Sequence, residues 1–305
     1  MKLFYGPEYV VAEHGFDTTR KAGWVAESLA RRPLAGLRLV SPPPLSREAL
    51  LDVHSARYVD AIISGEPAAL ATSQGFSWGP GLYPSVSASN GGVVAAARED
   101  DVSGTLSSGL HHARQGRGCG FCTFNGLAIA AKDAIRRGVP SVLILDFDAH
   151  CGGGTASLIA DEPRIEQVDV STNTFDGYRD TANARLVVAT PRDYVQTIEQ
   201  ELGRLGCAGY GLVLYNAGVD PYGDGVTAAD LATREEIVFE WAESQQSPIA
   251  FTLAGGYLAD CLCRDELVDL HRLTIDKAHE IHARRQSARK RRDNSWRLGE
   301  EEASR

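Results

Sequence analysis

Apolar residues along this chain follow two alternating patterns. Unbroken apolar runs of strand length lie at 37–40, 141–148, 168–171, 210–216 and 249–254, most of them too continuous for half-exposed antiparallel strands. Such runs predict parallel strands covered on both faces. Between them, at 19–30, 55–63, 90–98, 125–137, 192–206 and 228–244, apolar residues recur at helical spacing. This alternation predicts right-handed crossovers and an α/β fold, a three-layer αβα arrangement with a mainly parallel sheet and helices on both faces. From Leu258 onward a long helical pattern leaves the sheet. Two stretches carry no period: 65–87, rich in Gly, Ser and Pro, and 173–190. Loops of that length are more often functional rims than filler.

Composition narrows this picture. A chain of 305 residues could form one α/β domain or two, and the lack of a Pro/Gly/Ser-rich linker in its middle favours one, over 1–280. Beyond it, 281–305 reads as a charged helix end fraying into a disordered tail, with six basic residues in 284–292 and contact with an acidic partner as the other reading. The formal charge of −9 argues against a protein built to grip nucleic acid but leaves room for a basic protein substrate. No long apolar segment marks a leader or a membrane span, so a cytoplasmic protein is expected. The six cysteines are sparse and are expected to be reduced and mostly buried; Cys119 and Cys122 have a C-x-x-C spacing but no second pair to complete a structural zinc site.

Chemistry gathers where the apolar runs end. Asp146, Asp148 and His150 close one run, Asp220 follows another and Tyr257 a third, while His111-His112 sit in a Ser/Gly-rich segment. The carboxyl ends of parallel strands are where open α/β sheets build their sites. Asp148, His150 and Asp220 make a reasonable three-ligand set for a catalytic zinc with one open position; Fe2+ suits the same ligand types. The i, i+2 spacing of Asp148 and His150 predicts that both share a face at a strand end. Taken singly, each has an ordinary structural explanation: a hydrogen-bonded core histidine, or an aspartate capping a helix. Their joint occurrence in order is what points to a site.

The stretches Gly109-Leu110-His111-His112-Ala113, Gly120-Phe121-Cys122-Thr123-Phe124-Asn125, Leu145-Asp146-Phe147-Asp148-Ala149-His150, Asn216-Ala217-Gly218-Val219-Asp220 and Leu253-Ala254-Gly255-Gly256-Tyr257 together resemble the zinc-dependent histone deacetylase family of the arginase/deacetylase fold. Weaker likeness begins at 45–58 and continues to about Thr274. The resemblance implies a zinc-dependent hydrolase that removes an acetyl group from an N-acetylated amine, either lysine on a protein or a small molecule. It implies zinc on Asp148, His150 and Asp220, His112 as general base and then acid, His111 and Asp146 supporting charge beside it, and Tyr257 stabilising the oxyanion. Gly255 and Gly256 would give Tyr257 its backbone freedom, and Gly120 and Phe121 would line one wall of the acyl-lysine tunnel. A K+ site involving Asp146, Asp148, His150, Ser171 and Thr172 belongs to the same expectation. A binuclear manganese ureohydrolase of the same fold, or a metal-containing binding protein with weak turnover, are the alternatives.

Two departures stand out. Many family members continue the Asp-x-His motif as His-His-Gly-Asp-Gly or His-His-Gly-Asn-Gly, whereas this chain has His150-Cys151-Gly152-Gly153-Gly154. Gly153 thus takes the place of the residue that orients the second catalytic histidine, which predicts for His112 either a weaker base or a borrowed partner. The segment 172–187 is also shorter than the family's, leaving Phe175 and Tyr178 as its aromatic candidates for the other tunnel wall.

Overall fold

The computed structural model describes residues 1–12, 16–207, 209–258 and 262–303, with only the helical backbone described beyond Arg291. Cys261 and the side chains of Arg292 and Glu300 to Glu302 lie outside that description. Among the described residues one sheet is formed by β1 (Lys2–Phe4), β2 (Arg38–Val40), β3 (Val102–Thr105), β4 (Val142–Asp146), β5 (Ile165–Ser171), β6 (Ala184–Val188), β7 (Leu212–Gly218) and β8 (Ile249–Ala254). Its order is β2-β1-β3-β8-β7-β4-β5-β6, and every pairing is parallel. The helices are α1 (Lys21–Arg31), α2 (Arg47–Leu51), α3 (Ala56–Ser64), α4 (Ala68–Ala71), α5 (Leu82–Ala96), α6 (Gly126–Arg136), α7 (Gly153–Ile159), α8 (Tyr194–Leu205), α9 (Ala228–Ser244) and α10 (Arg264–Ala303).

Alternation along the strands fills two cores. Ile144, Leu214 and Ala250 face a cluster shared with Val59, Val93 and Leu127 of α3, α5 and α6. Their neighbours Leu145, Tyr215 and Phe251 face the opposite cluster with Ile198, Phe239 and Ile275 of α8, α9 and α10. Successive strand side chains point to opposite faces, so an unbroken apolar run serves both layers.

The expected layers are present, with changes of detail. Strands β1 and β3 carry no apolar run: β3 reads Val102-Ser103-Gly104-Thr105, and Gly104 is needed because a side chain there would strike the ring of Phe251. The unpatterned stretch 65–87 holds α4 and the first turn of α5, and 173–190 holds the edge strand β6. Helix α5 escapes detection before Asn90 because it is buried around most of its circumference. Ser85, Ser87, Ala88, Asn90, Gly91 and Gly92 let it press against neighbouring backbone instead of showing an apolar stripe. Over 281–305, read as a charged helix end or a disordered tail, α10 continues as helix to Ala303.

The topology also locates a crevice. From β4 the chain moves outward to β5 and β6, and from β7 it moves the other way to β8. The two loops leaving these adjacent strands therefore diverge at their carboxyl ends, the arrangement in which open sheets leave a ligand cleft.

Candidate active site

The floor of the crevice is a polar row set by register. Thr105 pairs with Thr252, Thr252 with Asn216, Asn216 with Asp146, and Asp146 with Asp169. Each lies in the carboxyl-terminal half of its strand and is buried. The hydroxyl of Thr252 donates to Asn216 Oδ1 (2.8 Å), Asn216 Nδ2 donates to Asp146 Oδ1 (2.7 Å), and Asp146 Oδ2 accepts from His111 Nδ1 (2.8 Å). Burial alone would lower the His111 pKa, but the Asp146 carboxylate outweighs it and lifts the imidazole to about 10.

Asp148, His150 and Asp220 stand above this floor. β4 ends at Asp146, so the first two sit in the loop past the strand, and strand alternation does not aim them as expected. Asp220 opens a short 3-10 turn after β7, across the crevice. His150 Nδ1 lies 3.1 Å from Asp148 Oδ1 and 3.6 Å from Asp220 Oδ2. Ligand atoms about 2.1 Å from a tetrahedral ion lie about 3.4 Å apart, so this spacing fits a single divalent cation. Burial and the neighbouring Asp148 push Asp220 up to about 7, since two carboxylates in a dry site disfavour each other's charge. Gly255 (φ +65°) and Gly256 (φ +100°) bend the chain around Asp220: the Gly256 N–H donates to Asp220 Oδ1 (2.6 Å), and a side chain at Gly255 would collide with the carboxylate. The Gly255 carbonyl accepts from Lys21, a fully buried lysine whose pKa is drawn down to about 8 by burial against the opposing pull of Asp220 and Asp148.

The histidine segment is pinned by Asn125, whose side chain caps α6 through Ala128 N (2.9 Å) and donates to the carbonyls of His111 (3.1 Å) and Ala113 (3.3 Å). The His112 ring lies 4.0 Å from that of His111. Its Nδ1 hydrogen bonds to Asp176 Oδ2 at 3.0 Å, so the borrowed partner exists and comes from the loop after β5. Burial and the charged His111 nonetheless bring His112 down to about 4, against the pull of Asp176.

Aromatic rings frame the mouth. Phe121 rides a two-residue hairpin closed by Cys119 and Cys122, with positive φ at both Gly120 and Phe121. A side chain at Gly120 would strike His112. Phe175 stands edge-on to His112 (5.0 Å) and His150 (5.9 Å). Tyr178, the other aromatic candidate, is turned away, with its hydroxyl between Gln167 and the Arg185 carbonyl. Phe16 lies against Phe121 (4.3 Å) and Tyr257 (5.2 Å). These rings border an opening of about 630 Å³ above an inner space of about 40 Å³ that is lined by His111, His112, Asp148, His150, Asp220 and Tyr257. The inner space has room for a water or two, and the opening for an extended chain. The hydroxyls of Ser171 and Thr172 are engaged by Asp169 (2.6 Å) and Asp224 (2.7 Å).

Sequence reasoning missed Asp176, Phe16 and Lys21. For Asp176 the one signal was indirect, the glycine at 153. Phe16 and Lys21 reach the site from the N-terminal segment, which no motif covered. The described cysteines are free, with Cys122 and Cys151 buried and Cys207 and Cys263 exposed. No described helix is long and apolar enough to cross a membrane.

Comparison with known proteins matches residues 18–268 to the histone deacetylase domain family. An uncharacterized protein of Picosynechococcus sp. is 30% identical over 90% of this chain and 98% of its own length. Histone deacetylase 2 of Arabidopsis thaliana is 29% identical over 80% of this chain and 70% of its own. The crystal structure of the HDA15 HD domain superposes with a TM-score of 0.73 at 18% identity, covering 92% of this chain and 89% of that one, a likeness of fold.

Proposed function

This chain belongs to the histone deacetylase family, and on that premise we propose that it is a metal-dependent amidohydrolase removing an acetyl group from an N-acetylated amine, either lysine on a protein or a small molecule. The observation that carries the reading is the convergence of Asp148, His150 and Asp220, whose ligand atoms lie within 4.8 Å of one another beside two histidines, one held by Asp146 and the other by Asp176. A zinc or iron(II) ion held by the three would polarise an amide carbonyl and make a water more acidic.

The remaining chemistry falls to the chain's own side chains. His112, neutral at physiological pH, takes a proton from the attacking water at Nε2 and returns it to the departing amine. His111, protonated and hydrogen-bonded to Asp146, adds positive charge next to it without competing for the proton. The Tyr257 phenol is held above its usual pKa by burial and by Asp220, so it remains a donor for the developing oxyanion. Phe121 and Phe175 suit the methylene chain of an acylated amine, flanking it while Gly120 keeps the passage open. The backbone carbonyls near Asp146, Asp148 and His150 remain the candidates for a K+ ion.

The test is acetate release from acetyl-lysine peptides, acetylpolyamines and simple acetamides by zinc-loaded protein, run beside Asp148→Ala and Tyr257→Phe. Wild type should release acetate and Asp148→Ala should not, while Tyr257→Phe should bind metal and lose about 10²–10³-fold in kcat. Metal-loaded wild type that releases acetate from none of these would overturn the reading.

A further inference from the structure

We propose that Asp176, clamped by Arg114, is the positioning residue that fixes the tautomer and orientation of His112, and that Gly153 is a glycine because the backbone carbonyl of Asp176 occupies its side-chain space. The inference rests on the deacetylase reading for what His112 does, and on geometry alone for how His112 is held.

Asp176 is set for this task and little else. Its side chain is 6% exposed, and its carboxylate accepts from His112 Nδ1 (3.0 Å), from Gly154 N (3.0 Å) and from the Arg114 guanidinium. Arg114 in turn donates through Nη1 to the Gly153 carbonyl (2.9 Å), tying the carboxylate's clamp to the residue opposite. A Cβ on Gly153 would run into the backbone oxygen of Asp176 and stand 3.0 Å from its Oδ1. The loop and an ordinary side chain at 153 therefore exclude each other. Asp176 adopts φ +59°, uncommon for a residue with a side chain, and the turn is held by Cys151 N bonding to the Phe175 carbonyl (3.0 Å) and Phe175 N to Asn173 Oδ1 (2.8 Å). With Nδ1–H committed to Asp176, Nε2 is left as the basic atom of the ring. Two consecutive residues thus hold His112, Phe175 through a T-shaped ring contact and Asp176 through its carboxylate.

The experiment compares full-length, metal-loaded wild type with Asp176→Asn, Arg114→Gln and their double variant. Asparagine keeps the shape but sets an amide donor among three donors, so the His112 bond, the Gly154 bond or the Arg114 bond must break. For Asp176→Asn the expected result is unchanged metal content, a KM within about threefold of wild type and a kcat lower by about 10–100-fold. Arg114→Gln should lose less, and the double variant no more than Asp176→Asn, since the two act through one bond. Independently of turnover, the His112 Nδ1 proton in 15N-histidine-labelled protein, assigned by its absence in His112→Gln, should shift or broaden in Asp176→Asn. A kcat within about threefold of wild type with an unmoved proton signal overturns the proposal. Should Asp176→Asn fail to fold, Arg114→Gln decides by the same readouts. If wild type hydrolyses no acetylated substrate, the deacetylase reading fails and the proton signal alone judges the positioning.

Discussion

His54 ties stability to pH through the tautomer of one ring. Its Nδ1 faces the Arg114 carbonyl at 2.9 Å and its Nε2 accepts from Asn125 N at 3.0 Å, so the neutral imidazole uses both nitrogens and a second proton would set N–H against N–H. Burial brings its pKa to about 4. The unfolded chain takes up this proton near pH 6.5 and the folded chain resists until about 4, so the contribution is complete above about 6.5 and is lost as pH falls toward 4. Urea midpoints measured between about pH 7 and about pH 5 should fall for wild type and be flatter for His54→Gln, which is less stable at neutral pH. That Asp148, His150, Asp220 and Tyr257 gather in one place was legible in the sequence because each sits at a fixed distance from an apolar run. Asp176 was not, since a loop residue has no period and its meaning depends on which histidine the fold brings to it.

Among elements, the long C-terminal helix carries contacts that its sequence does not show. The basic run 284–292 looks like a solvated end, yet part of it is committed internally. Asp101, just before β3 and buried, accepts from Gln286 (2.8 Å), lies 3.2 Å from His282 and pairs with Arg285 (3.5 Å) and Arg289 (3.6 Å). Arg285 also donates to the carbonyls of Ala242 and Ser247, and Arg284 pairs with Glu243. Ending the chain after Glu280 should therefore cost about 3–5 kcal/mol, the penalty for stranding a buried charge, while ending it after Arg291 should cost little. Denaturant unfolding of the two truncations checks this; equal stabilities would mean that Asp101 is solvated or protonated once its partners are gone. The central strands were legible from continuous apolar runs, whereas β1 and β3 are short and gain their strand character from neighbours in the sheet.

For the whole molecule, layers were legible but strand order was not, because register and sequence of pairing depend on contacts between distant segments. The order matters: it places Asp148 and His150 on one side of the point where the chain reverses direction and Asp220 on the other. An ion bound there joins two halves of the sheet and should stabilise the native state, by about 4 kcal/mol at a free concentration 1,000 times its Kd. Thermal melts should rise on adding zinc and fall with a chelator, and neither change should appear in Asp148→Ala. A wild-type melt indifferent to both would argue that the cluster does not retain metal in solution. The pairing of Phe175 with Asp176 in one turn has a further consequence for inhibitor design. A compound whose bulk tilts the aromatic wall outward would drag the neighbouring carboxylate from its imidazole, so the pocket would be open to ligands that act on His112 through its partner, without a chelating warhead aimed at Asp148, His150 and Asp220.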